Sequence, residues 1–183
     1  MTTLMTPTSL VTRTVESPLG PLTLVGSAAG LRAILWPGDD PARAGLTGVA
    51  QHPASADVLD NAAQQLGEYF AGTRTTFALP LDLQGTAFQL AAWEALAEIP
   101  FGETRTYAEQ AARIGRPGAV RAVGTANGRN PLSIVLPCHR VVGSDGALRG
   151  FAGGLDAKAA LLAFEQQVSW PGPVALGGEA AVP

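Results

Sequence analysis

Leu136-Pro137-Cys138-His139-Arg140-Val141 holds the only cysteine in a chain of 183 residues. A single thiol closes no internal disulfide and builds no cysteine zinc cluster, which leaves an inert buried residue or a nucleophile. The neighbouring His139 favours the nucleophile, because only the thiolate reacts and an unperturbed thiol, with a pKa of about 8.5, is mostly protonated at neutral pH. In an extended segment adjacent side chains point to opposite faces, so contact between Cys138 and His139 requires a turn or a bridging water. Glu165 is the acid that the pattern places best to orient the imidazole and complete a Cys-His-Glu triad. The same residues also fit a histidine that merely satisfies a backbone carbonyl.

Working outward, residues 134–142 are apolar and β-branched around this element, and Ser144-Asp145-Gly146 and Gly150-Phe151-Ala152-Gly153-Gly154 read as a turn and a glycine-rich loop. A last helix is expected from Leu155 to about Gln167, with Leu155, Ala159 and Leu162 on its inner face and Glu165 continuing that face. Upstream, Thr86-Ala87-Phe88-Gln89 and Thr106-Tyr107-Ala108-Glu109 both match capping boxes that open helices. The second of these helices stops at Gly115, Arg116-Pro117 makes a turn, and a further helix runs from about Gly118 to Asn127. Two short helices joined in this way form a helix-turn-helix candidate, although plain αα-corners share the pattern.

The first third reads as a β-meander, with strands at 10–15, 22–26 and 31–36 separated by Ser17-Pro18-Leu19-Gly20 and Ala28-Ala29-Gly30. A loop follows, then a helix from about Ala56 to Ala71, and Thr75–Leu79 is expected as one more strand. His52 reads as exposed, and Asp57, Asp60 and Glu68 as the wet face of the helix. The fold expected is α/β (α+β) in two domains. Residues 1–82 form a small β-sheet with a helix, and 83–168 a mainly helical unit with the helix-turn-helix and the cysteine loop. Residues 1–9 and the Pro/Gly/Ala tail 169–183 are expected to be disordered.

Composition bounds the function. The chain is 46% hydrophobic and 15% charged, as in a globular protein, with no uninterrupted apolar span of membrane length and no basic leader. A cytoplasmic protein is expected, since a lone thiol fits a reducing compartment. The net charge of −3 hides an asymmetry: residues 1–100 carry four arginines against nine acids, whereas residues 101–160 carry seven arginines and Lys158 against four acids. Basic charge therefore gathers around the cysteine, where a polyanion could dock; a solvated arginine-rich surface is the plainer alternative.

The run Asn130-Pro131-Leu132-Ser133-Ile134-Val135-Leu136-Pro137-Cys138-His139-Arg140-Val141 resembles the signature of the O6-alkylguanine-DNA alkyltransferases. Ile99-Pro100-Phe101-Gly102-Glu103-Thr104, Tyr107, Arg121-Ala122-Val123-Gly124, Gly153-Gly154-Leu155, Lys158 and Glu165 resemble further family motifs in the same order, over roughly residues 86–166. The resemblance implies direct, single-turnover repair, in which Cys138 takes the alkyl group from guanine O6, with O4-alkylthymine as a further substrate. It implies that His139 withdraws the thiol proton through a water, that Glu165 holds His139, and that Asn130 ties the recognition helix to the cysteine segment. Tyr107 would donate to the base and Arg121 would replace the extruded nucleotide in the stack. Ala122, Gly124 and Thr125 would let the helix approach the minor groove, and Arg140 would lie on the DNA side. The carbonyls of Cys138 and Val141 would read the exocyclic amine, while Phe151 stacks on the base and the Ala152 amide faces O6. Double-stranded DNA with O6-alkylguanine is the implied partner of a monomer.

The chain departs from that pattern in places. Phe151 stands where the family often has tyrosine, and Ala152 where some relatives have serine. The N-terminal cysteine and histidine ligands that hold zinc in some relatives are reduced to His52, so neither metal nor cofactor is expected. A thiol hydrolase and a helix-turn-helix regulator are the rival readings. The first gives the basic flank no purpose, and the second needs no nucleophile and more polar base-reading side chains than Arg121 and Thr125.

Overall fold

The computed structural model describes residues 10–46 and 57–168. The expectations for His52, residues 1–9 and the tail from Ser169 lie outside the described residues. Strands β1 (Val11–Val15), β2 (Leu22–Ser27) and β3 (Gly30–Leu35) form an antiparallel meander in the order β1-β2-β3, with an irregularity at Val25/Gly26. Both faces of β2 and β3 are covered, because apolar residues stand at successive positions and leave neither face for water. Helix α1 (Asp57–Phe70) buries Leu59, Ala62, Leu66 and Tyr69 against that sheet. Its outer face is tied down by the ion pairs Arg13–Asp60 and Arg74–Glu68.

The segment Thr75–Leu79 is not a strand. The buried Gln65 amide accepts from the Ala78 N–H at 2.8 Å and donates to the Ala78 carbonyl at 2.9 Å, so a side chain supplies what a neighbouring strand would have given. Pairing resumes at a single bridge, Leu31 with Leu81, where the Leu31 N–H donates to Pro80 O at 2.8 Å.

The C-terminal half is mainly helical. Helices α2 (Ala87–Glu94) and α3 (Tyr107–Arg113) both open with complete capping boxes, Thr86/Gln89 and Thr106/Glu109. A two-residue strand β4 (Arg105–Thr106) runs into α3 and pairs in parallel with β5 (Val141–Val142). Helix α4 (Val120–Gly128) follows the Arg116-Pro117 turn and packs on α2 and α3 through Val123 and Ala126. Three polar contacts fix this helix-turn-helix. Gln110 and Asn127 exchange both amide bonds (3.1 and 2.7 Å), Gln110 also reaches the Ala92 carbonyl at 2.9 Å, and the Trp93 indole donates to Ala126 O at 2.8 Å. Helix α5 (Gly154–Val168) closes the fold.

On α5 the buried positions are Ala157, Lys158, Leu161 and Glu165, whereas Leu155 and Ala159 face solvent and Leu162 is half-buried. The inner face is therefore rotated from the expected one, because two charged residues occupy it in place of leucines. A single apolar cluster runs from Leu22 and Ile34 through Tyr69 and Trp93 to Cys138 and Leu161, joining the two halves. No helix among the described residues is long and apolar enough to cross a membrane.

Gly30 adopts φ +154°, and a Cβ there would collide with the Pro80 carbonyl. Gly30→Ala is predicted to lower stability by about 1–3 kcal/mol, read as a lower urea midpoint with an unchanged slope.

Candidate active site

Backbone turns decide where the thiol sits. The Ile134 backbone is held at φ +76°, a left-handed conformation that costs a β-branched residue about 1–3 kcal/mol and that tertiary contacts must enforce. Pro137, at φ −79° and ψ 67°, forms an inverse γ-turn in which the Cys138 N–H donates to Leu136 O at 2.8 Å. The ring of proline favours that φ, which explains a proline directly before the cysteine. Cys138, His139 and Arg140 then form one 3-10 turn. This is the turn required if neighbouring Cys138 and His139 side chains are to serve one site.

Asn130 braces the segment. Its amide donates to Leu136 O at 2.7 Å and its carbonyl accepts from the Leu132 N–H at 3.0 Å. Asn130 follows α4 closely, so it joins the helix-turn-helix to the cysteine turn. Its own carbonyl accepts from Arg43 at 2.7 Å, and Arg43 is gripped by Asp39.

Cys138 is buried, and burial pushes its thiol above the ordinary range. The Asn130 amide, the charges of Lys158 and Arg43, and the Ser133 hydroxyl act in the opposite direction. The resting thiol is thus protonated and needs a base. His139 Nε2 lies 2.7 Å from Glu165 Oε1, while His139 Nδ1 is buried with no hydrogen-bond partner among the described residues. A carboxylate on Nε2 holds the proton there and leaves the Nδ1 lone pair to accept one. Burial depresses the His139 pKa, against the pull of Glu165, so the ring is neutral at neutral pH.

Glu165 is fully buried and takes five donors: His139, the Tyr69 hydroxyl at 2.7 Å, Arg140 Nε at 2.8 Å, Arg140 Nη2 at 3.0 Å and the Gly102 N–H at 3.1 Å. Burial alone would raise its pKa, but the hydrogen bonds from His139 and Arg140 hold it at about 2. Arg140 also donates to Ile99 O at 2.6 Å. It is therefore not on the DNA side, as the resemblance implied; it lies inside as the counter-ion of Glu165, because a buried carboxylate without one is strongly unfavourable.

Beside the cysteine turn, a pocket of about 550 Å3 is lined by Tyr107, Arg121, Gly124, Thr125, Gly143, Arg149 and Gly150, among others. It brings together four of the residues singled out from the sequence. Cys138 and His139 are not among its lining residues. Ala122 is exposed on α4, and Ala152 is half-buried. Phe151 packs edge-on against Trp36 (5.3 Å) and the His139 ring (6.3 Å). Tyr107 donates to Arg149 O at 2.9 Å. Lys158, noticed in the sequence only as a motif match, donates to Val141 O at 2.6 Å and to Arg149 O at 2.7 Å, and its ammonium lies 5.7 Å from the Tyr107 ring. The Val141 carbonyl is thus already engaged, with one lone pair left for a ligand. A Cβ on Gly153 would lie 2.6 Å from the Trp36 ring, which is why glycine stands there. Nothing in the sequence marked Tyr69 or Arg43 as part of the site, since both lie in the half that carries no motif.

The basic flank is also resolved. Arg105 and Arg113 pair with Glu98, Arg149 with Asp145 and Arg140 with Glu165. Arg116, on the turn, and Arg121, on the exposed face of α4, have no acidic partner among the described residues. No group of three or more His, Cys, Asp or Glu side chains among the described residues is arranged to hold a metal.

Comparison with known proteins places this arrangement. The family profile "6-O-methylguanine DNA methyltransferase, DNA binding domain" matches residues 87–167, and "6-O-methylguanine DNA methyltransferase, ribonuclease-like domain" matches residues 10–83. The methylated-DNA–protein-cysteine methyltransferase of Mycolicibacterium paratuberculosis is 49% identical over 160 residues, covering 86% of this chain and 93% of the relative. That of Methanosarcina barkeri is 48% identical, covering 83% and 94%. The crystal structure of Mycobacterium tuberculosis OGT in complex with DNA superposes with a TM-score of 0.78 at 45% identity, covering 91% of this chain and 99% of that one. Matched over both halves and nearly half identical to relatives along most of its length, the chain belongs to the 6-O-methylguanine DNA methyltransferase family.

Proposed function

We propose that this chain repairs O6-alkylguanine in double-stranded DNA by moving the alkyl group irreversibly onto Cys138. The observation that carries the reading is the pairing of a sole, buried cysteine with a neutral histidine whose Nε2 is held by a carboxylate and whose Nδ1 is unpartnered. In this reading His139 takes the thiol proton through a water. The thiolate forms a bond to the alkyl carbon as the bond from that carbon to O6 breaks, and the electron pair returns to the guanine ring. Tyr107 donates toward the ring nitrogen, and burial keeps its phenol protonated for that role. Protonation of the base completes guanine, and S-alkylcysteine remains with no route back.

The target base is stacked inside the duplex and has to be extruded, which costs a few kcal/mol. Arg121, exposed on α4, is assigned to the space left in the stack. Ala122, Gly124 and Thr125 are small enough to bring the helix backbone close to the minor groove. Phe151, the Ala152 amide and the carbonyls of Cys138 and Val141 are assigned to the extruded base. The division into units at 1–82 and 83–168 belongs to the same reading and is supported by separate family matches to the two halves. The protein is read as a cytoplasmic monomer that uses neither metal nor cofactor, with O4-alkylthymine as a further substrate.

Intact-protein mass after mixing with a duplex carrying one O6-methylguanine tests the proposal. One methyl per protein is expected, located at Cys138 and missing in Cys138→Ser; no gain of mass, with or without binding to the damaged DNA, would overturn it. The unpaired arginines supply a second check. Arg116→Ala and Arg121→Ala should each flatten the salt dependence of DNA binding by about one unit of slope, whereas Arg113→Ala, which removes a side chain already paired with Glu98, should leave it nearly unchanged. The pH dependence follows from His139. Its lowered pKa keeps it neutral at neutral pH, so transfer should hold there and fall on acidification, with a midpoint below the ordinary histidine value of about 6.5.

A further inference from the structure

Glu165 Oε1 does not serve His139 alone. The Tyr69 hydroxyl donates to the same oxygen at 2.7 Å, the distance at which His139 Nε2 lies. Tyr69 stands near the C-terminal end of α1, in the half of the chain with no catalytic motif, and is fully buried. Its ring is caged edge-on by Phe70 (5.2 Å), Phe101 (5.9 Å) and Phe164 (5.6 Å), so packing fixes the direction in which the hydroxyl points. A buried phenol needs an acceptor. The one supplied here is the oxygen that orients the base.

We propose that Tyr69 is a positioning residue for alkyl transfer, sharing Oε1 with His139 and setting how strongly that oxygen binds the imidazole. The inference rests on the function proposed above and gives the N-terminal half a working part in the site. The charged groups acting on His139 are Glu165 and Lys158 from α5 and Arg140 from its own turn, where Cys138 is its neighbour in sequence; Tyr69 acts through Glu165. Of these, Glu165 is the group that favours a protonated ring in the resting site. A second donor on its oxygen spreads the negative charge and weakens that pull, which keeps the base neutral to lower pH.

Tyr69→Phe deletes the donor and keeps the caged ring. The measurement is the single-turnover rate of transfer from an O6-methylguanine duplex between about pH 5 and about pH 9. Relative to wild type, the acid midpoint should rise by about half a unit to one unit. With 3-fluorotyrosine at position 69, a more acidic donor, the midpoint should fall. An unmoved midpoint in the phenylalanine variant, even with a slower plateau, would reduce Tyr69 to a packing residue and overturn the proposal. Should Tyr69→Phe not fold, an unmoved midpoint in the fluorinated protein overturns it equally. The 15N titration of the His139 ring needs no DNA and reads the same shift, so a wild type that fails to transfer would count against the function and leave this inference tested.

Discussion

A carboxylate taken out of water is stable only if its lone pairs are filled and its charge is balanced, and Glu165 imposes that condition on the whole fold. Its five donors come from the end of α1, the Pro100-Phe101-Gly102 turn and the cysteine turn, while α5 carries the acid itself. Each of these elements has to arrive for any of them to be satisfied. The apolar cluster that joins the two halves brings them within reach, and the polar knot at its centre selects one arrangement.

The same knot sets the chemistry. Arg140 balances the charge of Glu165 and opposes part of that carboxylate's pull on the imidazole. Burial then keeps His139 neutral and leaves its Nδ1 bare. The thiol beside it is protonated at rest because it is buried too. In the proposed mechanism reactivity is held back until a base draws the proton, which suits a protein that would spend its only cysteine once. On the other side of the turn, Lys158 fastens the loop that carries Arg149 to β5 and to the wall of the pocket.

Local signals are legible in the sequence and long-range ones are not. Both capping boxes, the three strands and the helix-turn-helix stand where Thr86, Thr106, Gly20, Gly30 and Gly115 placed them, because caps and turns depend on a few neighbouring residues. Glu165 points inward as the pattern predicts, but on a stripe of α5 shared with Ala157, Lys158 and Leu161 instead of Leu155, Ala159 and Leu162. Periodicity marks a face only when that face is apolar, and here Lys158 and Glu165 occupy it. The resemblance implies a DNA-side Arg140; that it instead balances a carboxylate 25 residues away is a fact of the folded contact. Tyr69 and the Gln65 amide that replaces a strand at Ala78 were invisible for the same reason.

The tautomer of His139 tests the central claim most directly. In a His52→Gln background the chain has one histidine, and the 15N spectrum of its ring in the unalkylated protein at neutral pH reports each nitrogen separately. The account predicts a proton on Nε2, bonded to Glu165, and a bare Nδ1. A proton on Nδ1, or on both nitrogens, would mean that the carboxylate does not prepare this histidine as the base.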